Sequence, residues 1–552
     1  MNRFLICSLT VILLACSGSS SIESSDSLTS SILSGTVKGL EGVLVLQNNV
    51  GEKITIAKNG AFDFPTILNP NSDFTLTVLE EPCAQRCTLD HTSGKVTSNG
   101  KINLSIDCES KSWTLPTSLA DNISFSSSEV TGISVSMNQY GDSIVTWAQP
   151  DESGKNRLYK NEFRNRTWFS PSSITDSFSF IGGDAFEHAS AINAQGDAFI
   201  GWLQSDGIFN QAYMAQYADD RWIYPASISD RMSIPGSDAI SGTNAFVVRS
   251  NDQGDMVAAW IQKDGDDRQV FKSSYKDGVW TFPESISDNI SPDEANDSIV
   301  NVDLALNQMG DYVIVWDQSD GSNNQIFKFE YRNGIASYPT SLSTNISKSG
   351  SSANNPKVAM DDAGNTIIVW YQYDAETGGH RQIFRSEYRD GSWNHPDSLT
   401  DNISANGLDA YYPAISMNNL GHAILVWKQE DSAGGHQQVY KKEFVGDVWE
   451  SAVRISPSGT NTFKPVVSLD EQDNALISWK QESVDGSSIY HTMKSEYHAG
   501  HWTHPVSVTD QISPGSTGAT TADIVANNCR MRMVWMQKNV DDVYQTFMAE
   551  YR

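Results

Sequence analysis

Positively charged residues are scarce in this sequence of 552 residues. It contains 38 Lys and Arg against 67 Asp and Glu, which gives a formal net charge of −29. An acidic chain is repelled by nucleic-acid phosphates and by anionic lipid headgroups, and no basic stripe along the sequence offsets this repulsion. We therefore expect no nucleic-acid partner.

The common catalytic motifs are also missing. The sequence contains no GxSxG, HExxH, CxxC or P-loop pattern, so it lacks the usual signatures of serine hydrolases, zinc peptidases, dithiol redox proteins and nucleotide-binding proteins. From Trp113 onward no helical period of apolar residues competes with β patterns. We expect an all-β protein.

The sequence begins with a single long apolar run. It extends from Phe4 to Ala15 after the basic Arg3, and it is too short to remain as a membrane span. Residues 1–15 are therefore predicted to be a signal peptide.

The end of this run, Leu13-Leu14-Ala15-Cys16, resembles the lipobox of bacterial lipoproteins. The resemblance implies cleavage before Cys16, acylation of its thiol, and membrane attachment through the lipid. Ser17 in the second position resembles the sorting signal for the outer membrane. We expect a lipid-anchored outer-membrane protein that is either surface-exposed or periplasm-facing. The alternative is an ordinary signal peptide with a chance cysteine at position 16.

Two segments separate the predicted anchor from the repeats. Ten of the 18 residues that follow Cys16 are serine, so residues 16–34 are predicted to form a flexible tether of roughly 25 Å reach. Residues 35–109 contain short β-branched runs separated by turn residues such as NPNSD and TSNG, which indicates antiparallel β structure. This segment resembles the small immunoglobulin-like β-sandwiches of bacterial surface lipoproteins. We expect a disulfide between Cys87 and Cys108, with Cys83 as the alternative partner of Cys108.

A Trp-x-Gln pattern organises the remainder of the chain, residues 110–552. It occurs eight times at spacings of 55, 58, 56, 54, 57, 52 and 56 residues, which is typical of repeated supersecondary units with variable loops. Each unit has the pattern of four antiparallel strands, the first two joined by a tight turn that usually contains glycine. The pairs are Trp147/Gln149, Trp202/Gln204, Trp260/Gln262, Trp316/Gln318, Trp370/Gln372, Trp427/Gln429, Trp479/Gln481 and Trp535/Gln537.

Repeats of this kind predict an eight-bladed β-propeller, with an open β solenoid as the alternative. The sequence ends on a third-type strand, AEYR, and the repeat region starts on a fourth-type strand, SWTLPTSL. We expect this first strand to complete the last blade and close the ring. The Trp-x-Gln tryptophans should fill the space between blades, and each glutamine should bond backbone groups of a nearby loop. A second set of tryptophans opens the fourth strands, except that Ala336 takes that position in the fifth unit counted from the strand of Trp113.

The candidate ligand-binding face contains the two long, variable connections of each unit, those from the second to the third strand and from the fourth to the first. Variable loops on a rigid scaffold are where binding function usually lies. The most ligand-like side chains on this face are His380, His436, Tyr411, Tyr412, Asp288 and Asp401, although the aspartates also suit turn capping.

No cofactor or metal is expected. The acidic segments 264–267 and 291–298 offer oxygen ligands, so calcium is a weak alternative, but neither segment has the spacing of a recognised calcium loop. We expect a non-catalytic envelope lipoprotein whose propeller presents a binding or adhesion surface for a protein or glycan. The alternatives are a periplasmic envelope-assembly scaffold and a glycan-active propeller enzyme.

Overall fold

A computed structural model describes residues 31–552 except 70, 97–101, 126–127, 243, 294–298, 375–378 and 499. The predicted signal peptide, Cys16 and residues 17–30 of the tether lie outside the described residues. The described chain is all-β and forms two compact units that divide between Glu109 and Ser110. No helix in this part of the chain is long and apolar enough to cross a membrane.

The first unit contains two four-stranded sheets around one apolar core, to which Leu33, Phe64 and Leu104 contribute. The sheets have the strand orders β4-β1-β8-β6 and β3-β2-β5-β7. A disulfide joins Cys87 to Cys108 with an Sγ–Sγ distance of 2.03 Å. The strands are β1 (Ser31–Lys38), β2 (Leu44–Asn48), β3 (Lys53–Ile56), β4 (Gly60–Leu68), β5 (Asp73–Glu80), β6 (Gln85–Leu89), β7 (Ser93–Lys95) and β8 (Ile102–Ser110).

Two details of this unit differ from the sequence prediction. Strand β1 begins at Ser31, inside the segment 16–34 that the serine content assigned to the tether, because Leu33 is fully buried and anchors the strand. Strands β1 and β8 also pair in parallel rather than antiparallel. The parallel pair joins the first and last strands of the unit, which no tight turn connects, so turn residues could not reveal it.

The second unit contains eight antiparallel sheets in its described residues, and we number them 1 to 8 in chain order. Sheets 1 to 5 and 7 each contain four strands that pair in sequence order. Sheet 6 has a fifth short strand, β34, which pairs with β32. Sheet 8 combines the last three strands with β9, the first strand of the unit: Tyr551 of β41 pairs with Trp113.

Sheets 1 to 4 and the first strand of the unit comprise β9 (Trp113–Thr114), β10 (Gly132–Met137), β11 (Ser143–Pro150), β12 (Asn156–Arg164), β13 (Thr167–Phe169), β14 (Ala185–Ile192), β15 (Ala198–Ser205), β16 (Asn210–Ala218), β17 (Arg221–Ile223), β18 (Phe246–Ser250), β19 (Met256–Asp264), β20 (Asp267–Lys276), β21 (Val279–Thr281), β22 (Val302–Leu306), β23 (Tyr312–Ser319), β24 (Asn324–Arg332) and β25 (Ile335–Ser337).

Sheets 5 to 8 contain β26 (Ala353–Met360), β27 (Thr366–Asp374), β28 (His380–Arg389), β29 (Ser392–Asn394), β30 (Ala410–Met417), β31 (Ala423–Glu430), β32 (Gln437–Val445), β33 (Val448–Trp449), β34 (Val453–Arg454), β35 (Thr462–Leu469), β36 (Ala475–Glu482), β37 (Tyr490–His498), β38 (His501–Thr503), β39 (Asp523–Asn527), β40 (Arg530–Lys538) and β41 (Tyr544–Tyr551). Single 3-10 turns occur at Leu119–Asp121, Ile286–Asp288, Leu342–Thr344 and Val508–Asp510.

The first strands of the sheets lie side by side in chain order. Each contacts the first strand of the next sheet, and β10 of sheet 1 contacts both β14 of sheet 2 and β39 of sheet 8. A carboxylate oxygen of Asp523 in β39 accepts a hydrogen bond from the backbone N–H of Val135 in β10 at 2.8 Å. Residues from all eight first strands line a cavity of about 660 Å³ between them.

The Trp-x-Gln pairs have one geometry in all eight sheets. Every indole is fully buried and donates its Nε1–H to the side-chain oxygen of the glutamine two residues later, as in Trp427 and Gln429 at 2.9 Å. The glutamine Nε2 then donates to a carbonyl in the loop before the first strand, which for Gln429 is that of Ala405 at 2.8 Å. Burying an indole removes about 150–250 Å² from water, so these tryptophans stabilise the fold rather than present a sugar-stacking platform.

The hairpin turns between first and second strands adopt positive φ at one position in every sheet. Glycine occupies it in sheets 1 to 6, for example Gly421 at 76°. Asp473 and Cys529 take the position in sheets 7 and 8 with φ of 62° and 60°. The backbone geometry of this turn is thus retained even where the residue that adopts it most easily is absent.

Candidate functional site

The middle residue of the Trp-x-Gln pattern divides the eight sheets into two groups. It is apolar in sheets 1, 2, 3 and 8, where it is Ala148, Leu203, Ile261 and Met536. In the consecutive sheets 4 to 7 it is Asp317, Tyr371, Lys428 and Lys480. Polar and charged groups are therefore concentrated on one side of the set of sheets, at the ends of their second strands.

The first strands of sheets 5, 6 and 7 each carry a β-bulge beside these residues. The strand register shifts between Asn354 and Lys357, between Tyr411 and Ala414, and between Phe463 and Val466. Each bulge contains a residue with positive φ followed by proline, which has no N–H to give to the ladder. The positive-φ residues are Asn355 (57°), Tyr412 (49°) and Lys464 (39°).

A cleft of about 450 Å³ lies between the bulges and the ends of the second strands. Asp317, Asn355, Tyr371, Tyr412 and Lys464 are among the residues that line it. Positive φ is unfavourable for residues as large as tyrosine and lysine, and strain of this kind is often found where a side chain must be aimed at a site. We call this site the basic–aromatic cleft.

Aromatic rings form one wall of the site. The ring centroids of Tyr371 and Tyr412 are 6.4 Å apart, and Tyr411 lies 5.9 Å from Tyr371. The ammonium of Lys428 lies 5.2 Å from the ring centroid of Tyr412 and 5.1 Å from that of Phe463. These distances allow cation–π attraction, and they hold the ammonium against ring faces.

Lys464 lines the cleft, and two further lysines lie against the rings beside it: Lys428 against Tyr412, and Lys480 against Phe463. No carboxylate oxygen in the described part of the chain lies within 4.0 Å of the Nζ of Lys428, Lys464 or Lys480. Burial and the charge of Lys480 lower the pKa of Lys428, and burial and the charge of Lys464 lower the pKa of Lys480. These cations repel one another, and a nearby anion would relieve that repulsion.

Asp317 organises the cleft rather than neutralising the lysines. It is 1% exposed, and its oxygens accept hydrogen bonds from the Asn301 side chain at 2.6 Å and from the backbone N–H of Asn355 at 3.0 Å. It also accepts from the backbone of Val300 and Asn301. Burial raises the pKa of its carboxyl. Asp317 thereby connects the bulge of sheet 5 to the end of sheet 4.

Two of the residues selected from the sequence, Tyr412 and Tyr411, lie in or next to this cleft, and a third, His380, lies near a carboxylate that Tyr411 contacts. Tyr412 lines it directly. The Tyr411 hydroxyl donates to Asp409 at 2.8 Å and accepts from Arg381 at 2.9 Å, and burial together with Asp409 raises the pKa of Tyr411 to about 12. His380 Nδ1 lies 3.7 Å from the other oxygen of Asp409.

The remaining selected residues have local roles outside the cleft. His436 is exposed, and its backbone N–H donates to Asp431 within its own loop. Asp288 accepts from the backbone N–H groups of Glu284 and Ser285 at 2.8 Å, and Asp401 accepts from Asp397 and Ser398 at 2.8 Å. These bonds lower the pKa of both aspartates, which cap their turns.

Metal-ligand clusters are not found in the described residues: no group of three or more His, Cys, Asp or Glu side chains there is arranged to hold a metal ion. Residues 294–298 of the acidic segment 291–298 lie outside the described residues.

No family model matches the chain, and no curated protein sequence matches it. Solved structures with similarity include a polysaccharide lyase of family 25, an ulvan lyase (9% identity, 64% of this chain, 90% of that chain, TM-score 0.37). Another is a Hadza microbial sialidase (11%, 83% and 91%, TM-score 0.34), and a third is the fucose-specific lectin from Aleuria aurantia (15%, 61% and 99%, TM-score 0.30). Similarity at this level does not transfer a ligand or a reaction to this chain.

Proposed function

We propose that this protein is a cell-envelope lipoprotein whose eight-bladed propeller binds an acidic glycan in the basic–aromatic cleft without cleaving it. The observation that carries the proposal is the set of Lys464, which lines the cleft, and Lys428 and Lys480 beside it. All three face aromatic rings and have no carboxylate partner among the described residues. Sugars stack their apolar faces on aromatic rings, and ammonium groups pair with uronate or sulfate groups.

The proposed closed ring is supported by two links between the start and the end of the second unit. β9 completes sheet 8 by pairing with β41, and Asp523 of sheet 8 bonds the backbone of Val135 in sheet 1. In a closed ring every sheet packs against a neighbour on both sides, and this packing fixes the positions of the loops that surround the cleft.

The cleft is suited to binding. Its volume of about 450 Å³ is in the usual range for ligand sites, about 300–1,000 Å³. Tyr371, Tyr412 and Lys464 belong to strands β27, β30 and β35 rather than to loops, so the sheets fix the relative positions of their backbones.

A binding role is favoured over glycoside hydrolysis by the carboxylates. Glycoside hydrolases typically use two carboxyl groups that flank the scissile bond. Asp317 is the one carboxylate among the described residues that line the cleft, and both of its oxygens accept hydrogen bonds from protein groups.

The proposed localisation in the outer membrane depends on the lipobox-like sequence that ends at Cys16. Lipidation there, followed by the serine-rich segment, would hold the folded units away from the outer membrane surface. A periplasmic scaffold is the second interpretation of the same anchor, and protease accessibility on intact cells distinguishes the two.

A glycan array with uronate-containing, sulfated and neutral sugars tests the binding proposal. We expect the soluble protein without residues 1–16 to bind acidic glycans and not their neutral counterparts. The double variant Lys428→Ala/Lys480→Ala should lose at least tenfold in affinity. The matched control Lys53→Ala/Lys58→Ala removes the same charge from exposed positions of the first unit and should bind as the wild type does.

Two outcomes would overturn the proposal. One is equal binding by the wild type and the Lys428/Lys480 variant, and the other is the absence of any acidic ligand on the array. Chromatography of the bound glycan after prolonged incubation separates binder from enzyme: shortened products would replace the binding role with glycan cleavage.

A further inference from the structure

A three-residue contact recurs where the fourth strand of one sheet meets the third strand of the preceding sheet. The indole Nε1 of Trp393 donates to Glu330 at 2.8 Å, and the ammonium of Lys328 lies 4.7 Å from the same ring. An indole, a carboxylate and a cation thus occupy one slot between sheets. The same contact is made by Trp222 with Glu162 and Lys160, Trp449 with Glu387 and Arg385, Trp502 with Glu443 and Lys441, and Trp113 with Glu496 and Lys494.

The slot between sheets 3 and 4 has lost two of the three groups. Ala336 pairs with Tyr331 as Trp393 pairs with Tyr388, so alanine stands at the position of the indole. Ser274 follows Lys272 by two residues, at the position that glutamate takes in the five slots named above. Lys272 alone is retained.

The missing groups leave a cavity of about 300 Å³, lined by Lys272, Tyr312, Phe329, Ala336 and Tyr338 among others. Tyr312 stacks on Tyr331 with ring centroids 5.1 Å apart, and both rings line this cavity. The Lys272 ammonium lies 5.5 Å from the centroid of Phe329 and 5.8 Å from that of Tyr312.

The Lys272 ammonium has no ion-pair partner among the described residues of this cavity. No carboxylate oxygen of the described residues lies within 4.0 Å of its Nζ, and burial lowers its pKa. Asp255 also lines the cavity, and its carboxylate accepts from Asn251 at 3.2 Å. A partly buried ammonium without a partner is costly, and a ligand that brings a carboxylate removes that cost.

We propose that this slot is a second binding site, and that it takes a planar aromatic carboxylate of about the size of an indole acid. The other slots of the same protein show which groups fit: a flat ring between sheets and a carboxylate next to the lysine. The ligand would supply from outside the two groups that Ala336 and Ser274 no longer provide. This inference does not depend on glycan binding in the basic–aromatic cleft.

Calorimetric titration with indole-3-acetate, indole and tryptamine tests the site. We expect indole-3-acetate to bind at least fivefold more tightly than neutral indole, and tryptamine to bind least because its cation faces Lys272. Lys272→Met should weaken indole-3-acetate binding at least tenfold. The control Lys160→Met alters the same position in a slot already occupied by Trp222, and it should leave binding unchanged.

A filled slot provides the complementary test. The double variant Ala336→Trp/Ser274→Glu restores the three-residue contact, so it should abolish indole-3-acetate binding and raise the melting temperature. This variant adds contacts that neighbouring sheets already accommodate, and folding can be checked by its circular dichroism. Failure of the wild type to bind indole-3-acetate, or unchanged binding in Lys272→Met or in the filled variant, would overturn the proposal.

Discussion

The indole Nε1 of Trp113 lies 2.5 Å from a carboxylate oxygen of Glu496, although the two residues are 383 positions apart. The ammonium of Lys494 lies 4.8 Å from the same indole. Trp113 belongs to β9, which pairs with β41 of sheet 8, whereas Glu496 belongs to β37 of sheet 7. One side chain thus attaches the first strand of the second unit to its last two sheets.

We expect Trp113→Ala to lower the free energy of unfolding of the second unit by about 2–4 kcal/mol, because it removes a large packed side chain and leaves Glu496 without this donor. Urea unfolding followed by tryptophan fluorescence measures the change. Trp449→Ala is the matched control. The indole of Trp449 makes the same contact with Glu387, but it joins two sheets that are consecutive in the chain. A closed ring requires Trp113→Ala to be at least as damaging, and a smaller effect would count against closure.

Gln429→Leu should destabilise the second unit by about 2–4 kcal/mol. The change leaves the buried indole N–H of Trp427 and the carbonyl of Ala405 without their present partners. Gln472→Leu, in an exposed hairpin turn, is the control and should change stability by less than about 0.5 kcal/mol. Equal unfolding midpoints for the two variants would mean that the Trp–Gln hydrogen bond does not contribute to stability.

The repeated sheets were predictable because each unit uses the same local interactions. The spacing of Trp427 and Gln429, with a turn glycine at 421, recurs along the chain, so one pattern indicated four-stranded units many times over. The packing role of the tryptophans followed from their regularity. The parallel pairing of β1 with β8 did not, because it joins strands that no local sequence pattern connects.

The basic–aromatic cleft was predictable only in part, since its residues come from four sheets. Tyr411 and Tyr412 were selected from the sequence, but Lys428, Lys480 and Asp317 were not, because each looks like an ordinary strand residue in isolation. Two signals in the sequence would have indicated them. One is the change of the middle Trp-x-Gln residue from apolar to polar in four successive units, and the other is proline after positions 355, 412 and 464.

The carboxyl group of Asp523 should make the stability of the second unit depend on pH. Burial raises the pKa of its carboxyl to about 6, against the opposing effects of hydrogen bonds from the backbone of Val135 and Ile524 and of the charge of Arg249. A carboxyl with a raised pKa in the folded state contributes stability that is fully present below its ordinary pKa of 3.8 and is lost as the pH rises through 6. Relative to Asp523→Asn, the wild type should therefore lose about 2–3 kcal/mol between pH 4 and pH 7. Urea midpoints of both proteins across this range give the difference, and a constant difference would contradict the shifted titration.

We expect lipidation of Cys16 to attach the whole protein to the membrane. Cys16→Ser removes the thiol that lipidation requires, so we expect the variant to appear in the soluble fraction of lysed cells while the wild type needs detergent. Ser17→Ala, which keeps the thiol, should remain membrane-bound. Detergent-dependent fractionation of Cys16→Ser would show that lipidation at this residue does not anchor the protein.

At position 412 we expect glycine to give a more stable protein than alanine, which is the reverse of the usual order in strands. Its φ of 49° is in the left-handed region, where glycine is favoured over residues with a Cβ by roughly 1 kcal/mol. Tyr412→Gly and Tyr412→Ala both remove the ring next to Tyr371 and Lys428, so both should weaken acidic-glycan binding, but the glycine variant should be the more stable of the two. At the neighbouring Tyr411, which precedes the bulge, alanine should be more stable than glycine, as is usual in strands. If the alanine variant is also the more stable one at position 412, the bulge does not hold this conformation. The proposal that the bulge directs the Tyr412 ring into the cleft would then be wrong.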